Sequence, residues 1–165
     1  MNRKLLLIGF ILIIFSQTII SQNNNPTEFK FPDYVGYVND FEGIFSKEQI
    51  SELNKIIEKQ EKETSNEIAI VSIESYSPYK TLFEYSLELG NYWEIGKQDK
   101  SNGILIVFGK KIRQIRIQVG YGLENKLKDE EAKRIIDKTI IPEFKKGDFF
   151  IGIKKGLVEI IDETK

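Results

Sequence analysis

The side chains best suited to chemistry flank an apolar hairpin: Asp99 and Asn102 precede its first strand, and Glu124 follows its second. Two carboxylates, an amide oxygen and carbonyls turned out by neighbouring glycines make an oxygen-only donor set. That chemistry suits hard cations, Ca²⁺ or Mg²⁺. The chain has no histidine and no cysteine, which excludes Ser-His-Asp and Cys-His triads, histidine and cysteine phosphatases, ordinary zinc sites and disulfides. An Asp-x-Asp pair is also missing, so the usual aspartyl-phosphate nucleophile has no counterpart. Any hydrolysis would rest on carboxylates, hydroxyls, Lys or Arg, and a hard metal.

The same residues also fit a plainer role. Asp99 and Asn102 can close an Asx-type turn into the strand while Glu124 is solvated, and both readings stand at this point. Gly120-Tyr121-Gly122 has Asn125 where a dinucleotide fingerprint needs its third glycine, so it reads as a turn. Asp99-Lys100-Ser101-Asn102-Gly103 places its glycine too early for an EF-hand and lacks the closing glutamate. Asp129 and Asp148 each precede a helical pattern and read as N-caps. Trp93 reads as core, and Lys110 and Lys111 as solvated turn residues. Asp40 can cap Phe41-Glu42-Gly43 or lend its carboxylate to a neighbouring loop.

The hairpin must position this rim. Strand 104–108 turns at Gly109-Lys110-Lys111 and returns as 112–119, with Phe108 expected opposite Ile112 and Asn102 opposite Gln118. The loop 99–103 then lies beside Gly120-Tyr121-Gly122-Leu123-Glu124. Upstream, Ser46-Lys47-Glu48-Gln49 is a capping box, followed by Ile50, Leu53, Ile56 and Ile57 on one helical face. Residues 67–73 form an apolar strand buried on both faces. Leu82, Tyr85, Leu89 and Tyr92 outline a second helix, so strand, helix and strand 104–108 make a parallel crossover. A third helix runs from Asp129 to about Ile140 and breaks at Pro142. A fourth carries Phe150, Ile153, Leu157, Ile160 and Ile161. The expected fold is a three-layer α/β/α sandwich around a small mixed sheet of about four strands, with about four helices. Residues 34–38 supply the fourth strand.

Residues 1–21, with Arg3 and Lys4 before the apolar run 5–15, read as a secretory signal peptide, and 22–33 as a flexible leader to a single domain at 34–163. The apolar run is too short to span a membrane, so the mature chain is expected to lack a transmembrane helix and to be periplasmic or secreted. Lys+Arg number 24 against 25 Asp+Glu, and losing Arg3 and Lys4 tips the balance further towards acid. That leaves no electrostatic footprint for nucleic acid.

Val38-x-Asp40, Asn66-Glu67-Ile68, Trp93-x-Ile95-Gly96-Lys97, Asn102-Gly103-x-Leu105, Val119-Gly120-Tyr121-Gly122-Leu123-Glu124, Ile141-Pro142-x-Phe144 and Gly147-Asp148-x-x-x-Gly152 follow one another in an order that resembles the TPM domain family. The family takes its name from a thylakoid lumen protein, a photosystem II repair protein and a modulator of levamisole receptors. The resemblance runs from about Tyr34 to Ile161 and is to the stand-alone exported bacterial type. It implies an α/β/α sandwich, Ca²⁺ or Mg²⁺ at loops on the sheet rim, and the label of acid phosphatase. Asp40, Asp99, Asn102 and Glu124 match the family's acidic and turn motifs, and Glu94 is a further carboxylate inside the Trp-x-Ile-Gly motif. Many relatives carry an Asp-Arg-Lys-like turn where this chain has Gly109-Lys110-Lys111. The expected function is a metal-responsive interaction or assembly-support module, with a membrane or envelope protein as partner. The alternative is a metal-assisted phosphomonoesterase.

Overall fold

Apolar strands separated by amphipathic helices bury both faces only if the helices divide between the two sides of one sheet. In the computed structural model, which describes residues 29–165, β1 (Val38–Asp40), β2 (Glu67–Ser72) and β3 (Gly103–Gly109) pair in parallel. Strand β4 (Gln114–Val119) returns antiparallel to β3, giving the order β1-β2-β3-β4. Helix α1 (Lys47–Thr64) joins β1 to β2, and α2 (Leu82–Tyr92) joins β2 to β3. After β4 come α3 (Asp129–Ile135), a π turn (Ile136–Ile140), α4 (Ile141–Lys145) and α5 (Phe149–Thr164).

Side-chain alternation assigns the layers. Ile68, Ile70, Ile104, Ile106 and Phe108 share a core with Leu53 and Ile57 of α1 and Ile153, Leu157 and Ile160 of α5. Ala69, Val71, Leu105 and Val107 point the other way, onto Leu82, Tyr85 and Leu89 of α2. The chain is therefore an α/β/α sandwich around a four-stranded mixed sheet, as expected. The Ser46 capping box forms, with Gln49 Oε1 accepting from the Ser46 N–H at 2.9 Å.

Five expectations are corrected. The first strand lies at Val38–Asp40, overlapping the expected 34–38 only at Val38. Gly109 pairs with Gln114 and Phe108 with Ile115, three residues beyond the expected register. The turn spans 110–113, with Arg113 at φ 54°, where the sequence suggests a tighter turn at Gly109. An odd slip exchanges the faces of a strand: Ile115 and Ile117 join the α1/α5 core, and Arg116 lies over the Phe83 ring of α2 at 4.3 Å. The third helix does not break at Pro142 but runs on through the π turn into α4. Proline lacks the N–H that would bond four residues back, and the wider turn before it accommodates that loss. Asp129 is the first helical residue and not the cap; Lys128 occupies the cap position without a side-chain bond. Asp148 does cap α5, accepting from the Ile151 N–H at 3.0 Å.

Residues 1–28, and with them the signal-peptide reading, lie outside the described residues. The end of the segment read as a flexible leader is packed: Phe31 is buried and stacks on Tyr79 at 5.6 Å, and the Trp93 indole donates to the Pro32 carbonyl at 2.8 Å.

Candidate functional site

Parallel pairing gives the sheet two chemically distinct rims. One carries the starts of β2 and β3 and the end of β4; the other carries the ends of β1, β2 and β3.

At the first rim the loops on either side of the hairpin do meet, despite the shifted register. The Gly120 N–H donates to the Gly103 carbonyl at 2.8 Å, and the Gly122 N–H to the Ser101 carbonyl at 3.0 Å. Glycine is required for this approach. A Cβ on Gly103 would stand 2.1 Å from the Ile95 oxygen, and one on Gly122 would stand 1.9 Å from the Lys100 oxygen. Asn102 is 4 % exposed and locks the frame. Its Oδ1 accepts from the Lys97 N–H at 3.0 Å, while its Nδ2 donates to the Ser65 carbonyl at 2.7 Å. Glu67 accepts from the Gly96 N–H at 2.8 Å. The rim is thus held by backbone contacts, a buried amide and the Glu67 carboxylate.

On this frame Glu94, Glu124 and Asp129 line one cleft of about 820 Å³, floored by Gly96, Gly103 and Gly120. Asp99 is exposed at the loop surface and does not line it. Glu94 stands at φ 54°, a left-handed conformation uncommon for a residue with a Cβ. Arg116 forms the cleft's inner wall; burial lowers the pKa of its guanidinium, opposed by the Asp129 charge.

Asp40 belongs to the opposite rim. Strand pairing puts it beside Ser72, whose Oγ donates to Asp40 Oδ1 at 2.5 Å, while Asp40 Oδ2 accepts from the Phe45 N–H at 2.7 Å. The carboxylate bonds neither within Phe41-Glu42-Gly43 nor to a neighbouring loop: it closes the turn at Phe45 and reaches strand β2 at Ser72. Glu42 accepts from the Lys110 and Lys111 N–H groups at 2.7 and 3.0 Å, and Lys111 pairs with Glu74 at 3.1 Å. The hairpin tip is therefore tied down by Glu42, a role that no local pattern announces.

The five sequence candidates do not converge on one centre. Asp40 is separated from the others by the length of the sheet, and the Asn102 amide is already committed. What remains is Glu94 and Glu124, joined by Asp129, which the sequence assigns to a cap. These are all-oxygen donors of the type a hard cation takes, but among the described residues no three acidic side chains are gathered closely enough to hold one.

A family model described as TPM domain matches residues 38–163. Among solved structures, the N-terminal domain of a P. gingivalis protein is 29% identical with a TM-score of 0.71, covering 77% of this chain and 80% of that one. The N-terminal domain of a Corynebacterium glutamicum protein is 14% identical (TM-score 0.60; 82% and 84% covered). A protein from the psychrophilic bacterium Bizionia argentinensis is 21% identical (TM-score 0.59; 75% and 81% covered). The last two speak to the fold alone. No curated protein matches the chain.

Proposed function

Because the chain belongs to the TPM domain family, we propose that it is an exported interaction or assembly-support module in the cell envelope, responsive to Ca²⁺ or Mg²⁺ at the first rim. The observation that carries this reading is the shared cleft of Glu94, Glu124 and Asp129, contributed by three different segments. A divalent cation bound there would neutralise carboxylates beside the partly buried Arg116. The loops behind them are already fixed by Asn102 and the glycine contacts, so the ion acts on side chains and on surface charge more than on loop order. Asp99, exposed on the loop that leads into Asn102, adds negative charge to this loop without lining the cleft. The leader pattern at residues 1–21 supports export.

Calorimetric titration of Ca²⁺ and Mg²⁺ into the chain tests the proposal. Millimolar or tighter binding that is lost in Glu94→Gln with Glu124→Gln, and kept in Asp40→Asn, supports it. Binding that survives the double substitution contradicts it. An aryl phosphate assay at acid pH with either metal addresses the phosphatase alternative: turnover that disappears with Glu94→Gln would replace the interaction reading with hydrolysis.

A further inference from the structure

Among the described residues, strand β4 is an edge of the sheet, and its outer side is open. The Gly120 N–H bonds to Gly103 across the hairpin, so by antiparallel alternation Gln118, Arg116 and Gln114 turn their backbone groups to β3. Ile115, Ile117 and Val119 therefore turn their N–H and C=O groups outward. Ile115 and Ile117 line a cleft of about 1440 Å³ whose walls are Leu82 and Phe83 of α2 on one side and Ile136, Ile141 and Phe144 on the other, and Val119 lines the adjoining carboxylate cleft. A long edge strand is normally blunted or covered. Here two helical walls leave a slot along it, and its floor is a row of backbone donors and acceptors with no partner among the described residues.

Charge is graded along the slot. Lys110, Arg113, Lys145 and Lys146 border the Gln114 end, whereas Asp129 stands towards the Val119 end, where the slot meets the carboxylate cleft. We propose that β4 receives a single extended segment of a partner protein as a fifth strand, with acidic residues of that segment at the Gln114 end. Main-chain bonds to Ile115, Ile117 and Val119 would give affinity, and the cationic border would give register. A second copy of this chain fits less well. Helix α2 packs directly on β4, and strands pair about 4.8 Å apart while packed helices need about 8–10 Å. A symmetric copy would drive α2 into its counterpart.

This inference names the partner surface of the interaction module and rests on that reading. The probe is a short synthetic peptide that alternates Thr and Val and ends in Glu-Glu, titrated into the ¹⁵N-labelled chain. Amide shifts at Ile115, Ile117 and Val119 are expected. They should vanish when the peptide is N-methylated at alternate residues, and affinity should fall about tenfold at high salt or in Arg113→Glu with Lys145→Glu. Three results would overturn the proposal: no shift at these amides at millimolar peptide, shifts indifferent to N-methylation, or sedimentation as a dimer with the same amides protected without peptide. Ca²⁺-induced shifts at Glu94 and Glu124 are read in the same spectra. An edge that fails to bind is thus distinguished from a module that fails to bind an ion.

Discussion

At the rim where β1 and β2 end, Asp40 accepts from Ser72 and Phe45, and Glu42 accepts from Lys110 and Lys111. At the rim where β2 and β3 begin, the locking bonds come from Asn102, from backbone and from Glu67, and Glu94 and Glu124 stand exposed over a glycine floor. One rim uses Asp40 and Glu42 as structural acceptors, whereas the other commits only Glu67 in this way and leaves Glu94 and Glu124 outside its frame. Carboxylates committed to backbone N–H groups are poorly available to a cation, since each bond must be given up on binding. Acidic residues in similar sequence settings therefore divide into structural and available ones according to what else the loop offers its backbone.

The contrast can be broken most severely at the glycine frame. Gly103→Ala places a Cβ against the Ile95 carbonyl and should destabilise the fold by about 3 kcal/mol or more in chemical denaturation. A loss below about 1 kcal/mol would show that the frame yields easily. Asn102→Ala leaves the Lys97 N–H and the Ser65 carbonyl without their partner and should cost about 2 kcal/mol. Asp40→Ala, at the half-buried opposite rim, should cost about 1 kcal/mol. If Asp40→Ala proved the costlier of the two, the assignment of structural weight between rims would be reversed.

The pH dependence sharpens the first rim further. A hydrogen bond to Glu61 holds the Tyr37 phenol up at about 12, with burial adding to the shift. A raised folded pKa favours the protonated form, so this contribution is complete below the ordinary phenol pKa of about 10. It disappears as pH rises through the folded value. Stability measured from pH 9 upward should decline between about 10 and 12, and less so in Tyr37→Phe. The smallest effect is expected for Glu94→Gln with Glu124→Gln, within about 0.5 kcal/mol of the parent, because neither carboxylate supports the frame.

Much of this was legible in the chain itself. The alternation of Ile104, Ile106 and Phe108 with Leu105 and Val107, and the Ser46–Gln49 box, lead directly to the sandwich. The meeting of the loops 99–103 and 120–124 also followed from the hairpin, because any register near the correct one brings them together. The register itself was not legible: glycine at 109 suggests a tight turn, yet Arg113 takes the left-handed conformation. Long-range pairing decided the rest. Ser72 reaches Asp40 only through the parallel register of β1 and β2, and Glu42 reaches the hairpin tip across the sheet end. Asn102 looked like an ion ligand because its amide oxygen sits among acidic residues, but burial between Lys97 and Ser65 makes it a structural lock. Asp129 looked like a cap, but Lys128 takes the cap position and Asp129, the first helical residue, lines the cleft.

The most direct measurement is a Ca²⁺ titration followed by ¹H–¹⁵N spectra of the whole chain. The account predicts shifts at residues 94–97 and 120–124, abolished by Glu94→Gln with Glu124→Gln, with the amides of residues 40–45 unmoved. Shifts centred on Asp40, or an unchanged spectrum at millimolar Ca²⁺, would contradict it.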